Sequence, residues 1–112
     1  MKLNSFLINL FIVCCLLSSD VTAQFISTKF RVSGNCEMCK STIENVLDVK
    51  GVKQASWNQK SKELKLKYDT TLVSEDQLMK IIANVGYDTP TYKADSVTYQ
   101  SLSPCCRYRK EK

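Results

Sequence analysis

The strongest constraint on this chain is its hydrophobic rhythm, which passes between the period of a strand and the period of a helix across positions 26 to 93. Ile26, Thr28, Phe30 and Val32 fall on one side and Ser27, Lys29, Arg31 and Ser33 on the other, the pattern of a half-buried strand. Gly34-Asn35 breaks it, and Cys39, Ile43, Val46 and Leu47 then recur at the spacing of one helical face, with Gly51 placed to end that helix. Ala55 and Trp57 alternate with polar residues, Lys60-Ser61-Lys62 makes a turn, and Leu64, Leu66 and Tyr68 alternate again, so this stretch reads as a hairpin. Ser74-Glu75-Asp76-Gln77 has the form of a capping box, followed by Leu78, Ile81, Ile82 and Val85 on one helical face and Gly86 at the close. Thr89 to Lys93 reads as a short last strand, at an edge because Pro90 has no amide to donate. The order β-α-β-β-α-β predicts an α+β fold, a ferredoxin-like sandwich with two helices on one face of a four-stranded antiparallel sheet.

The 112 residues suffice for one such domain. Residues 1–23 are set apart: Lys2 supplies a positive start, Phe6 to Leu17 a largely apolar run, and Val21-Thr22-Ala23 a small-residue cleavage site before Gln24. This reads as a removable signal peptide, which places the remainder in the periplasm or outside the cell. The run is short for the roughly 20 residues of a spanning helix. A lipid anchor on Cys14 or Cys15 is disfavoured, because no small residue directly precedes either cysteine. The division expected is a signal peptide at 1–23, a domain at 24–95, and a basic, cysteine-containing tail at 96–112.

The chain has no histidine, which removes the commonest general base and the commonest nitrogen ligand. Its chemistry therefore falls to cysteine, and outside the signal these are Cys36, Cys39, Cys105 and Cys106. Cys36-Glu37-Met38-Cys39 lies where the first strand passes into the first helix. Unpaired amides and the positive end of the helix dipole stabilise thiolates there, which makes them better ligands and better nucleophiles. Two thiolates without an imidazole form a soft site, suited to Cu(I) and other thiophilic ions rather than to Mg or Ca.

Taken together, Gly34-Asn35-Cys36-Glu37-Met38-Cys39 after a strand, an amphipathic helix, Gly51-Val52, a hairpin, a second helix and Gly86-Tyr87-Asp88 resemble the heavy-metal-associated domain. That family includes copper chaperones, the soluble modules of copper-transporting ATPases and the periplasmic mercury-binding protein. The resemblance implies that Cys36 and Cys39 are the metal ligands and that Tyr87 shields the site from a neighbouring loop. Two departures stand out: Gly34 occupies a place where many members carry a buried Met, and Met38 sits between the cysteines, where small or polar residues are usual. Both imply a looser, more exposed metal loop, with Met38 as a second shielding group.

Cys105 and Cys106 are open to two readings. Residues 96 to 104 could span at most roughly 30 Å, enough to return along a short strand and bring two more thiolates to the ion. Alternatively the tail is flexible and its thiols are staples or spectators. The function expected is a soft-metal carrier or scavenger for Cu(I) or Hg(II), with Zn(II) open if four thiolates close around it. It would pass its ion by thiolate exchange to a metal-transporting membrane protein or another thiol-bearing carrier, be monomeric when apo, and not be an enzyme. The competing reading is a small thiol-disulfide redox protein, since a thiolate at a helix start serves that chemistry too. A Cys36-Cys39 structural staple would close too small a loop to constrain the unfolded chain. The formal charge of +5 is scattered over a sheet face (Lys29, Arg31, Lys65, Lys67) and the tail, a pattern that argues against nucleic acid.

Overall fold

The computed structural model describes residues 22–110, so the signal peptide expected at 1–23 lies almost entirely outside the described residues. Within them, β1 is Phe25–Arg31, α1 Glu37–Val46, β2 Val52–Trp57, β3 Glu63–Asp69 and α2 Glu75–Asn84. A short helix α3, Ser96–Gln100, and a single 3-10 turn, Pro104–Cys106, follow. None of the described helices is long and apolar enough to cross a membrane.

The sheet is antiparallel with the order β1-β3-β2, and β3 lies in the middle. Its inner face carries Phe30, Trp57, Leu64, Leu66 and Tyr68, and Ile43, Leu47, Leu78 and Ile82 from the helical side complete the core. Lys29 and Lys65 stand on the opposite, solvated face, as the alternation predicts. Both helices begin where their sequences direct. The Ser74 hydroxyl accepts from the Gln77 amide at 3.1 Å, and the Gln77 side chain accepts in return from the Ser74 amide at 3.0 Å. Gly86 takes φ +111 after α2, the left-handed conformation that glycine adopts without a side-chain clash. Helix α1 ends earlier than expected, with Leu47 as its C-cap, and Gly51 instead turns the chain into β2 with φ +100.

Three strands form among the described residues, and the fourth expected at Thr89 to Lys93 does not. Pro90 lies inside a tight turn that Thr89 closes on itself. The Thr89 amide and hydroxyl donate to the Tyr92 carbonyl at 2.8 and 2.9 Å, and the Tyr92 amide returns to the Thr89 hydroxyl at 2.9 Å. The donors that a fourth strand would offer to β1 are thereby consumed locally. A single backbone bond beside the end of β1 persists, from the Ser33 amide to the Asp88 carbonyl at 3.1 Å.

Candidate metal centre

Cys36 is the N-cap of α1, in extended backbone, and its side chain makes no capping bond, so the sulfur stays free to face its neighbours. Cys39 follows in the first turn and points into the core, fully buried. The Asn35 amide donates to the Cys39 sulfur at 3.4 Å. The Lys40 ammonium reaches the Trp57 carbonyl at 2.9 Å, and Glu44 accepts from the Trp57 amide at 3.0 Å, which ties α1 to the end of β2.

Beneath the loop, Gly34 is buried rather than exposed. A Cβ there would lie 2.9 and 3.0 Å from the ring carbons Cζ2 and Cη2 of Trp57 and 3.3 Å from Cys39 Cβ. The indole is held in turn by its N–H bond to the Val32 carbonyl at 2.9 Å. The looser loop expected from Gly34 is thus corrected: the tryptophan fills the space under the cysteines, and only a residue without a side chain fits above it. Met38 lies in the first turn of α1 and stands about half exposed.

The tail folds back onto the cysteines. Cys36 Sγ lies 3.4 Å from Cys39 Sγ, 3.4 Å from Cys105 Sγ and 3.5 Å from Cys106 Sγ. Cys105 and Cys106 are 3.8 Å apart at sulfur, the first exposed and the second buried. All four thiols are free, and the sulfurs of Cys36, Cys39 and Cys106 lie within 4.8 Å of one another. Such a donor set is all sulfur and fits a soft, thiophilic ion.

Several side chains fix the tail, one of them part of the basic charge of the C-terminal segment and the others polar or aromatic groups that the sequence pattern did not single out as anchors. Arg109 pairs with both carboxylate oxygens of Asp88, at 2.7 and 3.3 Å, and also reaches the Ala94 carbonyl. Its guanidinium lies 4.3 Å from the centre of the Tyr99 ring. The Tyr108 hydroxyl donates to the Gly86 carbonyl at 2.8 Å and accepts from the Asp88 amide at 2.9 Å. Leu102 packs on Gly86, and Asn35 in the metal loop donates to the Arg107 carbonyl at 3.2 Å.

These surroundings separate the thiols electrostatically. Burial pushes the Cys36 thiol up, but its hydrogen bonds with the Cys39 amide and with the sulfurs of Cys105, Cys39 and Cys106 more than offset it and bring Cys36 down to about 7. Cys105 is raised, chiefly by its hydrogen bond with the Cys36 sulfur. Cys106 is raised well above the ordinary thiol range, first by burial and then by donating to Cys39. Tyr87, expected on a neighbouring loop, is buried beside these sulfurs, and burial together with its bond to Cys106 raises its hydroxyl strongly. The phenol therefore stays neutral and can donate a hydrogen bond to a thiolate.

No family model matches the chain. A copper-exporting P-type ATPase of Staphylococcus epidermidis is 37% identical to it over 77 residues, covering 67% of this chain and 9% of the ATPase. The chain thus corresponds to a small part of that relative. The CopZ metallochaperone is 30% identical and superposes with a TM-score of 0.55 over 57% of this chain and 98% of its own. The N-terminal domain of a potential copper-translocating P-type ATPase from Bacillus subtilis, in its Cu(I)-loaded state, has the same fold, with a TM-score of 0.56 at 24% identity over 59% of this chain and 85% of that one. A strand-helix junction bearing C-x-x-C, on a fold shared with these proteins, defines the class, and the chain belongs to the heavy-metal-associated domain family.

Proposed function

We propose that this protein is an extracytoplasmic carrier of a soft metal ion, Cu(I) or Hg(II), held by the thiolates of Cys36 and Cys39. The observation that carries the reading is the cysteine cluster: Cys36 lies within 3.5 Å of three other free thiols at the start of a helix, with no imidazole or carboxylate among the donors. The similarity to a metallochaperone and to part of a copper-exporting ATPase supports copper ahead of mercury. The location outside the cytoplasm rests on residues 1–23, read as a signal peptide.

The ion is cargo. Cys36, whose thiol is lowered to about 7, binds first, and Cys39 closes the pair, each thiol that is still protonated releasing its proton to solvent on binding. In the hand-off, a thiolate from a metal-transporting membrane protein or another carrier forms a new metal–sulfur bond as one of these cysteines departs and takes up a proton. No further catalytic group is needed, and the apo protein works as a monomer. Zn(II) fits less well, because a closed zinc site asks for four ligands in a tetrahedron and Cys105 remains at the surface.

Native mass spectrometry of the reduced chain, titrated anaerobically with Cu(I), Hg(II) and Zn(II), tests this reading. One retained Cu(I) or Hg(II) that disappears in Cys36→Ser/Cys39→Ser supports it. A chain that retains none of the three against a competing chelator, yet cycles reversibly between dithiol and disulfide, is a thiol-disulfide protein instead.

A further inference from the structure

Cys106 is positioned as deliberately as the C-x-x-C pair. It closes the 3-10 turn, its amide donating to the Ser103 carbonyl at 2.8 Å, and its side chain is 2% exposed. On one side of it Leu102 seats on Gly86, and on the other Tyr108 and Arg109 bind the Gly86 carbonyl and the Asp88 carboxylate. The contact from Asn35 to Arg107 links the tail directly to the metal loop. None of these anchors involves a thiol, so the tail is docked by groups independent of any ion.

With metal–sulfur bonds of about 2.3 Å, two thiolates in a linear site lie about 4.6 Å apart, and three in a planar site about 4.0 Å apart. Cys36 stands 3.4 Å from Cys39 and 3.5 Å from Cys106, and all three sulfurs lie within 4.8 Å of one another, so opening the two Cys36 contacts by about 0.5 Å suits an ion among three sulfurs, whereas a linear pair requires Cys36 and Cys39 to part by more than twice as much. Cys105 lies outside this triangle, in solvent, with Cys36 and Cys106 as sulfur neighbours.

We infer that the tail completes a three-thiolate site, in which Cys106 joins Cys36 and Cys39 on one ion and its proton leaves to solvent as the third metal–sulfur bond forms. The inference rests on the proposal that Cys36 and Cys39 bind the ion. Its consequence is retention. A partner must displace a sulfur held in place by the docked tail, so this chain gives up its cargo more slowly than a two-cysteine domain. Removing an intramolecular third ligand weakens retention about 100-fold, the low end of what such tethering contributes.

The test is copper K-edge X-ray absorption on the full chain, loaded with one Cu(I) in thiol-free buffer, with Cys14→Ser/Cys15→Ser as background. Three sulfurs per copper are expected, falling to two in Cys106→Ser and staying at three in Cys105→Ser. Two sulfurs in the background chain would overturn this inference and leave the two-cysteine carrier standing. So would loss of a sulfur in Cys105→Ser. If Cys106→Ser fails to fold, the background chain and Cys105→Ser decide alone: three sulfurs in both assigns the third to Cys106. A chain that holds no copper overturns both this inference and the carrier reading.

Discussion

Replacing Gly34 with alanine measures how tightly the metal loop is packed. The new Cβ would meet two ring carbons of Trp57 at 2.9 and 3.0 Å, against a favourable carbon-carbon separation of about 3.5–4.0 Å. The ring has little room to retreat, being 1% exposed and pinned by its N–H bond to Val32. Either the indole or the loop must therefore move by about 0.5 Å or more, and the expected cost is that of overpacking a dense core, about 1–3 kcal/mol. Urea denaturation of the reduced apo chain reads this directly. Trp57→Phe supplies the control: by itself it removes the clashing half of the indole and its hydrogen bond, at a cost of about 2 kcal/mol or more. In the double variant the alanine methyl enters the space the indole has vacated, so the loss is smaller than the sum of the two by about 1 kcal/mol or more. A Gly34→Ala cost below about 0.5 kcal/mol, or strict additivity in the double variant, would refute the packing argument.

Alkylation at pH 7.5, followed by peptide mapping, is expected to label Cys36 ahead of Cys105 even though Cys105 is the more exposed, because Cys36 is lowered to about 7 and Cys105 is raised. The Cys36 rate should climb as pH rises through about 7, the direction of a thiol losing its proton, and a midpoint at or above the ordinary thiol value would contradict the assigned hydrogen bonds. Arg109→Ala removes the partner of the largely buried Asp88 and the cation over Tyr99, at a cost of about 2 kcal/mol. Hydrogen exchange should then quicken across α3 and the 3-10 turn while β3 stays protected, and uniform exchange across both would show that the tail is not a separately anchored unit.

The periodicities placed the strands and helices because each is a local pattern facing one common core, and Cys36 and Cys39 were legible because their spacing is set within a single helical turn. The missing fourth strand shows where that method stops. Alternating residues around Pro90 read as an edge strand, but the Thr89 hydroxyl and the Tyr92 carbonyl satisfy each other across three positions before any sheet can recruit them. The tail was less legible still. Arg109 and Asp88 lie 21 positions apart, and neither residue announces the other, since an arginine in a basic run looks like solvated charge. A similar separation in sequence hid the match between Gly34 and Trp57: a glycine in a turn suggests backbone freedom, whereas here the indole's bulk demands a residue without a side chain. Tyr99 and Tyr108 carried a faint signal, as aromatics in a polar segment, which need an apolar surface to cover them.

The central claim is that Cys36 and Cys39 hold a soft ion. Competition of the reduced chain against a colorimetric Cu(I) chelator, beside Cys36→Ser/Cys39→Ser, tests it most directly. The account predicts that the wild-type chain withdraws one equivalent of Cu(I) from the chelator and that the double variant withdraws none. Equal withdrawal by both chains, or by neither, would contradict it.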